Sequence, residues 1–334
     1  MSFCGKKRAL TEDEKKHYQD ALDGEFTIGE QLGRSGANSS AYLLTDKNGK
    51  NFVLKIPNDL KKLYRWQDRQ AKARDLQGEY FGDYHGPIGT PQRIKQGDDF
   101  IVEELAEGKE FDPSIYETLS PIQKKKVAQD LGEFLSYTHQ RTMTGKTVEL
   151  HPGQQEFVTL KQTYDYFEPV LTDDEKKELK KEIQNYNRQK EAPEVLAYRD
   201  YRPSNMLWDD KKKKLSIIDF DVTGNASVYE DFTPSAALST KISFQFWADV
   251  INAYNHAPKQ NPLTIDLETV RRNFFIGIYH EMARCNIGRT PPEECVDIVR
   301  YYLKRLDALK STGSPLESSQ KSNLISIIKK GKTK

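Results

Sequence analysis

One stretch in the second half of the chain limits the possible folds more than any other. It reads Tyr-Arg-Asp-Tyr-Arg-Pro-Ser-Asn over residues 198–205, and after a charged turn at residues 209–212 the run Leu-Ser-Ile-Ile ends on Asp219. A short apolar run bounded by a polar turn is typical of a buried strand. The pattern therefore predicts a loop, a hairpin and a strand ending on an acid. The Asp-x4-Asn spacing of Asp200 and Asn205 is not specific alone, since chance gives it about once in such a chain.

The whole stretch resembles the catalytic and metal-binding loops of the protein kinase superfamily, His-Arg-Asp-Leu-Lys-Pro-x-Asn and Asp-Phe-Gly. Arg199, Pro203 and Asn205 stand where those patterns have them. Arg202 replaces the usual Lys, and it is a more rigid donor. Asp221 replaces the Gly and is either a second metal contact or a solvated turn acid.

The resemblance implies a role for each polar residue of this stretch. Asp200 would orient an acceptor hydroxyl and accept its proton, and Arg202 would neutralise charge on the moving phosphoryl group. Asn205 and Asp219 would ligate Mg²⁺ or Mn²⁺ against the phosphates of ATP. The chain is thus expected to be an ATP-dependent phosphotransferase.

A turn rich in small residues resembles the loop that covers the nucleotide in kinases. Gly33, Gly36 and Ser39 lie in it, with Ser39 in place of the last Gly of the pattern. Lys55 follows Tyr42 by 13 residues, in a run similar to the Val-Ala-Ile-Lys strand. The resemblance implies that the small residues approach the phosphates and that Lys55 holds the α- and β-phosphates.

Two further parts of the nucleotide site are expected from the same resemblance. Glu79, near the end of a helix predicted over residues 59–82, would be the carboxylate partner of Lys55. The competing acids on that helix are Asp68 and Asp75. Residues 101–106 resemble the hinge strand, in which the backbone of Glu104 and Ala106 would pair with adenine.

Six basic residues crowd the same predicted helix: Lys61, Lys62, Arg65, Arg69, Lys72 and Arg74. A solvated helix face explains them most simply. The sharper hypothesis is a polyanion site, which an inositol phosphate could occupy as an activator. The C-terminal run Leu-Ile-Ser-Ile-Ile-Lys-Lys-Gly-Lys-Thr-Lys raises a similar choice between flexibility and weak contact with an anionic membrane.

The order of predicted elements indicates an α+β, bilobal protein-kinase-like fold, with a small β-rich N-lobe and a larger helical C-lobe. The predicted divisions are an N-terminal helical extension (1–25), the N-lobe (26–108), the C-lobe (109–310) with a helical insert at about 112–193, and a basic flexible tail (311–334). The helix starting at Pro121 is the clearest element, because its apolar residues share one face.

Composition excludes several other classes of protein. Lys and Arg total 51 against 50 Asp and Glu, so the net charge of +1 gives no general case for nucleic-acid binding. Three cysteines are too few for a disulfide framework, and no spacing of Cys or His suggests zinc. Because no signal peptide or membrane-spanning run is evident, a cytoplasmic location is expected.

The sequence leaves the acceptor open between two branches of the superfamily. Arg199 and Arg202 favour a protein serine or threonine, as in Ser/Thr protein kinases. The helical insert, the missing Ala-Pro-Glu ending after Asp219 and the run Tyr-Glu-Asp-Phe at residues 229–232 instead resemble small-molecule kinases for aminoglycosides or choline. A nucleotide-binding pseudokinase and an AMP transferase are further alternatives. The composition also resembles kinases that bacteria deliver as effectors into a host cytosol.

Overall fold

The computed structural model describes residues 9–32, 39–58, 63–75, 84–149, 160–186, 191–220, 222–232, 244–258 and 263–265. By its internal contacts the chain divides into two units, one of residues 1–149 with 191–265 and one of residues 150–190 with 266–334. Every site residue discussed below lies in the first unit. The lobe and tail boundaries expected from the sequence stay predictions.

The described residues form seven α-helices and eleven strands, so the predicted α+β class is confirmed. The helices are α1 (Glu12–Ala21), α2 (Leu63–Asp75), α3 (Pro113–Thr118), α4 (Pro121–Thr142), α5 (Leu160–Phe167), α6 (Asp173–Tyr186) and α7 (Phe244–His256). The strands are β1 (Phe26–Gln31), β2 (Ser39–Asp46), β3 (Asn51–Pro57), β4 (Arg93–Gln96), β5 (Ile101–Glu104), β6 (Lys109–Glu110), β7 (Thr147–Glu149), β8 (Glu191–Ala197), β9 (Met206–Asp209), β10 (Lys214–Ile217) and β11 (Gly224–Ser227).

The N-terminal strands form one antiparallel sheet in the order β1-β2-β3-β5-β4. Alternating side chains of β2 are buried, as expected for a strand with one face on a core. The β2–β3 turn follows from its sequence, because the Asp46 carboxylate accepts hydrogen bonds from the amides of Asn48 and Lys50, each at 2.8 Å. Gly49 then adopts a φ of 80°, which suits glycine. This turn fixes the register that places Lys55 in β3.

Helix α1 belongs to the core of this sheet. It begins with a capping box, in which Thr11 and Glu14 satisfy each other's backbone amides. Tyr18 on the helix and Leu22 at its C-cap are buried in one cluster with Phe52 and other apolar residues of the sheet. The helix therefore buries sheet surface that would otherwise face water.

Helices α4 and α7 pack directly against each other in the second half of the first unit. Gly132 lies at their crossing, where an added Cβ would meet Ala253 Cβ and Tyr254 N, both at 2.7 Å. Ser120 caps α4 in a second capping box, and Pro121 occupies its first turn as the sequence predicts.

Two small sheets carry the stretch singled out in the sequence. One has the order β10-β9-β6 and contains the predicted hairpin, with Lys214 paired to Asp209 next to its turn. The other has the order β11-β8-β7, an arrangement that the sequence did not suggest. Residues 198–205 connect β8 to β9, so both ends of this loop are held by strands.

In the second unit, α5 and α6 are the described helices. The acidic first turn of α6 suits the positive end of its helix dipole. Across the described parts of the chain, no helix combines the length and apolar character needed to cross a membrane.

Candidate active site

The loop that follows β8 is held together by its own backbone. Arg202 N donates to Asp200 O at 2.8 Å, and Asn205 N donates to Arg202 O at 2.8 Å, which closes a short 3-10 turn over Pro203–Asn205. Ile218 N then donates to Asn205 O at 3.0 Å. These bonds link the catalytic loop to the segment that carries Asp219.

Asn205 and Asp200 are joined side chain to side chain. The Asn205 amide donates to Asp200 Oδ2 at 2.8 Å and to Asp200 O at 3.1 Å. Because both donors point at Asp200, Asn205 Oδ1 faces away from it, with Ser204 Oγ at 3.4 Å. Asn205 is 3% exposed, so the orientation of its amide is fixed by packing as well as by hydrogen bonds.

Asp219 lies just beyond β10 in an unusual backbone conformation. Its φ is 63°, and Arg199 across the site has a φ of 67°. A left-handed conformation in a residue other than glycine costs roughly 1 kcal/mol or more. Such conformations cluster at functional sites, where they aim a side chain that regular structure would misdirect.

Lys55 reaches Asp219 from the N-terminal sheet. Its Nζ lies 3.3 Å from Asp219 Oδ1 and 3.1 Å from Glu103 Oε2. Lys55 is 7% exposed, so its ammonium requires paired carboxylates. The structure thus brings together Lys55, Asp219, Asp200 and Asn205.

The Asp200 carboxyl is partly buried, and several neighbours affect its pKa. Burial raises the pKa of its carboxyl above the usual range, Asp219 raises that pKa further, and Arg202 and the Asn205 amide oppose the rise. Arg202 Nε lies 3.1 Å from Asp200 Oδ2. The Arg202 side chain is 45% exposed, so it lies partly in solvent beside the carboxylate.

The buried carboxylate of Asp231 binds the backbone of the loop just before Asp200. Asp231 accepts hydrogen bonds from Arg199 N at 2.6 Å and from Tyr198 N at 3.1 Å. It also pairs with His139 Nε2 of α4 at 2.8 Å, and both side chains are at most 1% exposed. His139 Nδ1 lies 3.3 Å from Tyr254 Oη of α7. The α4–α7 pair is therefore connected to the residue immediately before Asp200.

Arg199 is engaged within the chain. Its Nε and one terminal nitrogen donate to Val222 O at 3.0 and 2.6 Å, and its other terminal nitrogen lies 3.7 Å from Glu230 Oε2. Tyr198 Oη donates to Ile218 O at 2.5 Å, and burial raises the pKa of this phenol. The Tyr198–Ile218 and Arg199–Val222 hydrogen bonds therefore hold the backbone on both sides of Asp219.

Other predicted residues lie at the edges of this constellation or outside the described residues. Ser39 begins β2, Glu104 ends β5 with its side chain 3.4 Å from Lys50 Nζ, and Ala106 follows two residues later. Outside the described residues lie Gly33, Gly36, Glu79, Asp221, Lys61, Lys62 and the side chains of Arg65, Arg69, Lys72 and Arg74. The polyanion site and the pairing of Glu79 with Lys55 therefore stay predictions.

Three residues of the network escaped the sequence analysis as site residues. Glu103 lies in the run that resembles the hinge strand, His139 lies near the end of the helix that starts at Pro121, and Asp231 lies in the run at residues 229–232. An acid within the apolar run Ile-Val-Glu-Glu-Leu was a usable signal for Glu103, because a charge facing a core requires a partner. Nothing local to the sequence pairs His139 with Asp231, which lies 92 residues away.

The available donors fit a magnesium ion. Asp219 offers a carboxylate and Asn205 an amide oxygen, and oxygen ligands are those that Mg²⁺ prefers. Magnesium bound with nucleotides commonly takes one or two protein ligands and completes its shell with phosphates and water. Within the part of the chain that the structure describes, no cluster of three or more Asp, Glu, His or Cys could hold a metal unaided.

Residues 30–270 match the family model described as the phosphotransferase enzyme family, abbreviated APH. The match spans well over half of the 334 residues, and the chain belongs to this family. It is therefore a phosphotransferase that acts on hydroxyl groups, and the kinase-like fold expected from the sequence is confirmed. A comparison with curated protein sequences found no match.

Solved structures with the same fold include phosphotransferases of aminoglycosides and macrolides. The GDP and kanamycin complex of APH(2″)-IIia has a TM-score of 0.59 at 18% identity, covering 89% of this chain and 99% of that one. The streptomycin–ATP–APH(2″)-IIa ternary complex has a TM-score of 0.56 at 17% identity, covering 89% and 97%. Macrolide 2′-phosphotransferase MphH from Brachybacterium faecium has a TM-score of 0.56 at 11% identity, covering 88% and 98%. At these identities the likeness concerns the fold.

Proposed function

We propose that this chain transfers the γ-phosphoryl group of Mg·ATP to a hydroxyl of a small molecule. The observation that carries the proposal is the short connection between Asp219, the metal-ligand candidate, and Asp231, which binds the backbone just before Asp200. Asp219 and Asp231 are twelve positions apart, and Arg199 ties the segment between them through Val222 O and Glu230. A long activation segment, as in protein kinases, does not fit within that connection.

Asp200 would serve as the proton acceptor for the incoming hydroxyl. Its carboxylate is oriented by the Asn205 amide and by Arg202, so it meets the acceptor in a fixed position. The raised pKa moves Asp200 towards the pH at which a general base is most effective. Positioning of this kind supplies most of the rate in phosphoryl transfer, since little covalent chemistry falls to the protein.

Lys55, Asn205 and Asp219 would hold the nucleotide end of the reaction. Lys55 would bind phosphate oxygens, and Asn205 Oδ1 and Asp219 would ligate Mg²⁺, which neutralises charge on the phosphates when bound. Arg202 would approach the transferred group with the donors left free by its bond to Asp200. The backbone of Glu104 and Ala106 would pair with the base, and Gly33, Gly36 and Ser39 would cover the phosphates.

The small-molecule acceptor is better supported than the protein acceptor favoured by the sequence. The fold neighbours are described as phosphotransferases of aminoglycosides and macrolides. Arg199, which favoured a protein acceptor, is occupied by Val222 O and Glu230. Arg202 is the remaining feature that favours a protein serine or threonine. An effector role in a host cell and activation by an inositol phosphate remain predictions from the sequence.

The test is parallel transfer of label from α- and γ-labelled ATP and GTP. Acceptor pools would be aminoglycosides, macrolides, choline and a generic basic protein, with and without inositol hexakisphosphate. We expect the parent protein to transfer the γ label to one of the small-molecule pools, and we expect no transfer by the Asp200→Asn variant. Label on the basic protein alone would overturn the small-molecule proposal. Transfer of α label would establish AMP transfer, and ATP binding without transfer to any pool would support the pseudokinase alternative.

A further inference from the structure

Glu103 is a buried acid held between two cations. It lies on β5 next to the fully buried Val102 and is itself 4% exposed. One carboxylate oxygen lies 3.1 Å from Lys55 Nζ, and the other lies 3.8 Å from a terminal nitrogen of Arg93. A buried carboxylate is costly unless it is paired, so Glu103 needs these cations close to it. One of the two cations, Lys55, is also a candidate nucleotide-binding residue.

Arg93 connects Glu103 to helix α2. Its side chain is 9% exposed, and one terminal nitrogen donates to Gln70 O of α2 at 3.0 Å. The other terminal nitrogen, the one nearer Glu103, donates to Gln70 Oε1 at 3.1 Å. Gln70 is 1% exposed. Because the guanidinium is planar and rigid, the position of Gln70 on α2 affects the position of Glu103.

We propose that Glu103 is a positioning residue for Lys55, held in place by Arg93 and Gln70. The inference rests on the proposed function, in which Lys55 binds the nucleotide phosphates. It adds a residue of strand β5 to the task that the resemblance gives to Glu79, whose own pairing with Lys55 stays a prediction. Helix α2 contributes through the Gln70–Arg93 contact, so its position affects the geometry of Lys55.

The physical reason is the freedom of a lysine side chain. The four-carbon stem of Lys55 has many rotamers, and holding one of them requires a fixed partner. Asp219 also pairs with Lys55, but its carboxylate is a metal-ligand candidate and has a second task. Glu103 is anchored on its other side by Arg93, so it can hold Lys55 throughout the reaction.

Nucleotide affinity tests the proposal. We expect Glu103→Gln to weaken ATP binding roughly tenfold, about the loss of one charge-assisted contact, and Arg93→Met to weaken it about threefold. Because both act through one chain of contacts, the double variant should resemble Glu103→Gln alone. The matched control is Lys95→Met on β4, the strand that contains Arg93. This change removes the ion pairs of Lys95 with the exposed Asp23 and Glu25, and the variant should bind ATP as the parent does.

The variants separate this inference from the proposed function. If Lys55→Met binds ATP with parental affinity, the nucleotide role of Lys55 is wrong. If Lys55→Met binds weakly while Glu103→Gln binds as the parent does, the positioning role of Glu103 is wrong. If the losses of ATP affinity in Glu103→Gln and Arg93→Met multiply in the double variant, the two residues act independently. The proposed chain of contacts from Gln70 through Arg93 and Glu103 to Lys55 would then be wrong.

A second set of variants keeps the test decisive if Glu103→Gln fails to fold. Gln70→Met and Arg93→Lys then replace it, and parental ATP affinity in both would refute this chain of contacts. The acceptor KM should stay within about twofold of the parental value in all folded variants, since uniform loss of nucleotide binding leaves the acceptor side intact. An equal rise in both KM values would indicate general damage and overturn the specific role.

Discussion

Substituting Asp231 by Asn tests whether the α4–α7 pair supports the catalytic loop. The carboxylate is buried and accepts from Arg199 N at 2.6 Å through one oxygen and from Tyr198 N and His139 Nε2 through the other. An amide has a single oxygen. In either orientation its NH2 group faces at least one donor, so one bond is lost and one buried N–H is left unsatisfied.

The magnitude follows from those contacts. A hydrogen bond to a charged group contributes about 1.5–3 kcal/mol, and an unsatisfied buried donor costs about 1–3 kcal/mol. Asp231→Asn should therefore lower the free energy of unfolding by roughly 3–5 kcal/mol, the range known for breaking a buried ion pair. Misplacement of the adjacent Asp200 should lower kcat about a hundredfold.

Urea unfolding and hydrogen exchange measure the two consequences. Exchange at the amides of Tyr198 and Arg199 should accelerate by a factor of roughly 10² to 10⁴, because about 1.4 kcal/mol corresponds to a factor of ten. The matched control is Asp46→Asn, whose carboxylate also accepts two backbone amides, but in a surface turn. We expect it to cost about 1 kcal/mol or less. If Asp231→Asn proves as mild as this control and leaves exchange unchanged, the supporting role is refuted.

Three further changes have expected outcomes. Asp219→Ala should abolish transfer while near-UV circular dichroism stays parental; full activity would exclude Asp219 as a metal ligand. Because burial raises the pKa of Asp200, its ionisation opposes folding, and Asp200→Asn should raise the thermal midpoint at pH 7. That gain should vanish below the unfolded pKa of about 4, where both states are protonated; a gain independent of pH would contradict this origin. Gly132→Ala should destabilise the protein by about 1–3 kcal/mol in urea, since its Cβ would meet the backbone of α7, and a neutral effect would show that the helices can separate freely.

The parts of this protein that the sequence predicted are those determined by local chemistry. The hairpin at residues 209–212, the helix starting at Pro121 and the strand containing Lys55 follow from turn residues, caps and periodicity within a few residues. The grouping of Asp200, Asn205 and Asp219 could also be predicted, because one hairpin joins them. Their chemical roles came from the resemblance and stay predictions.

The parts that could not be predicted depend on contacts between distant residues. The pair of His139 and Asp231 and the chain from Gln70 to Lys55 join elements that no local pattern relates. Both arrangements are buried polar networks, whose members are costly alone and stable only together. A sequence shows such a residue as an unexplained polar group within an apolar run, as with Glu103.

These two networks hold different residues of the site, and their contacts explain how its strained geometry is maintained. Arg199 and Asp219 hold left-handed backbone conformations that cost free energy, so other contacts must over-determine them. Asp231 binds the amide of Arg199, the Arg199 guanidinium binds Val222 O, and Lys55 holds the carboxylate of Asp219. Each strained residue is thus fixed by bonds that the described residues make within the chain. Under the proposed function, a site held in this way suits a small-molecule acceptor, which offers too little surface to order the site on binding.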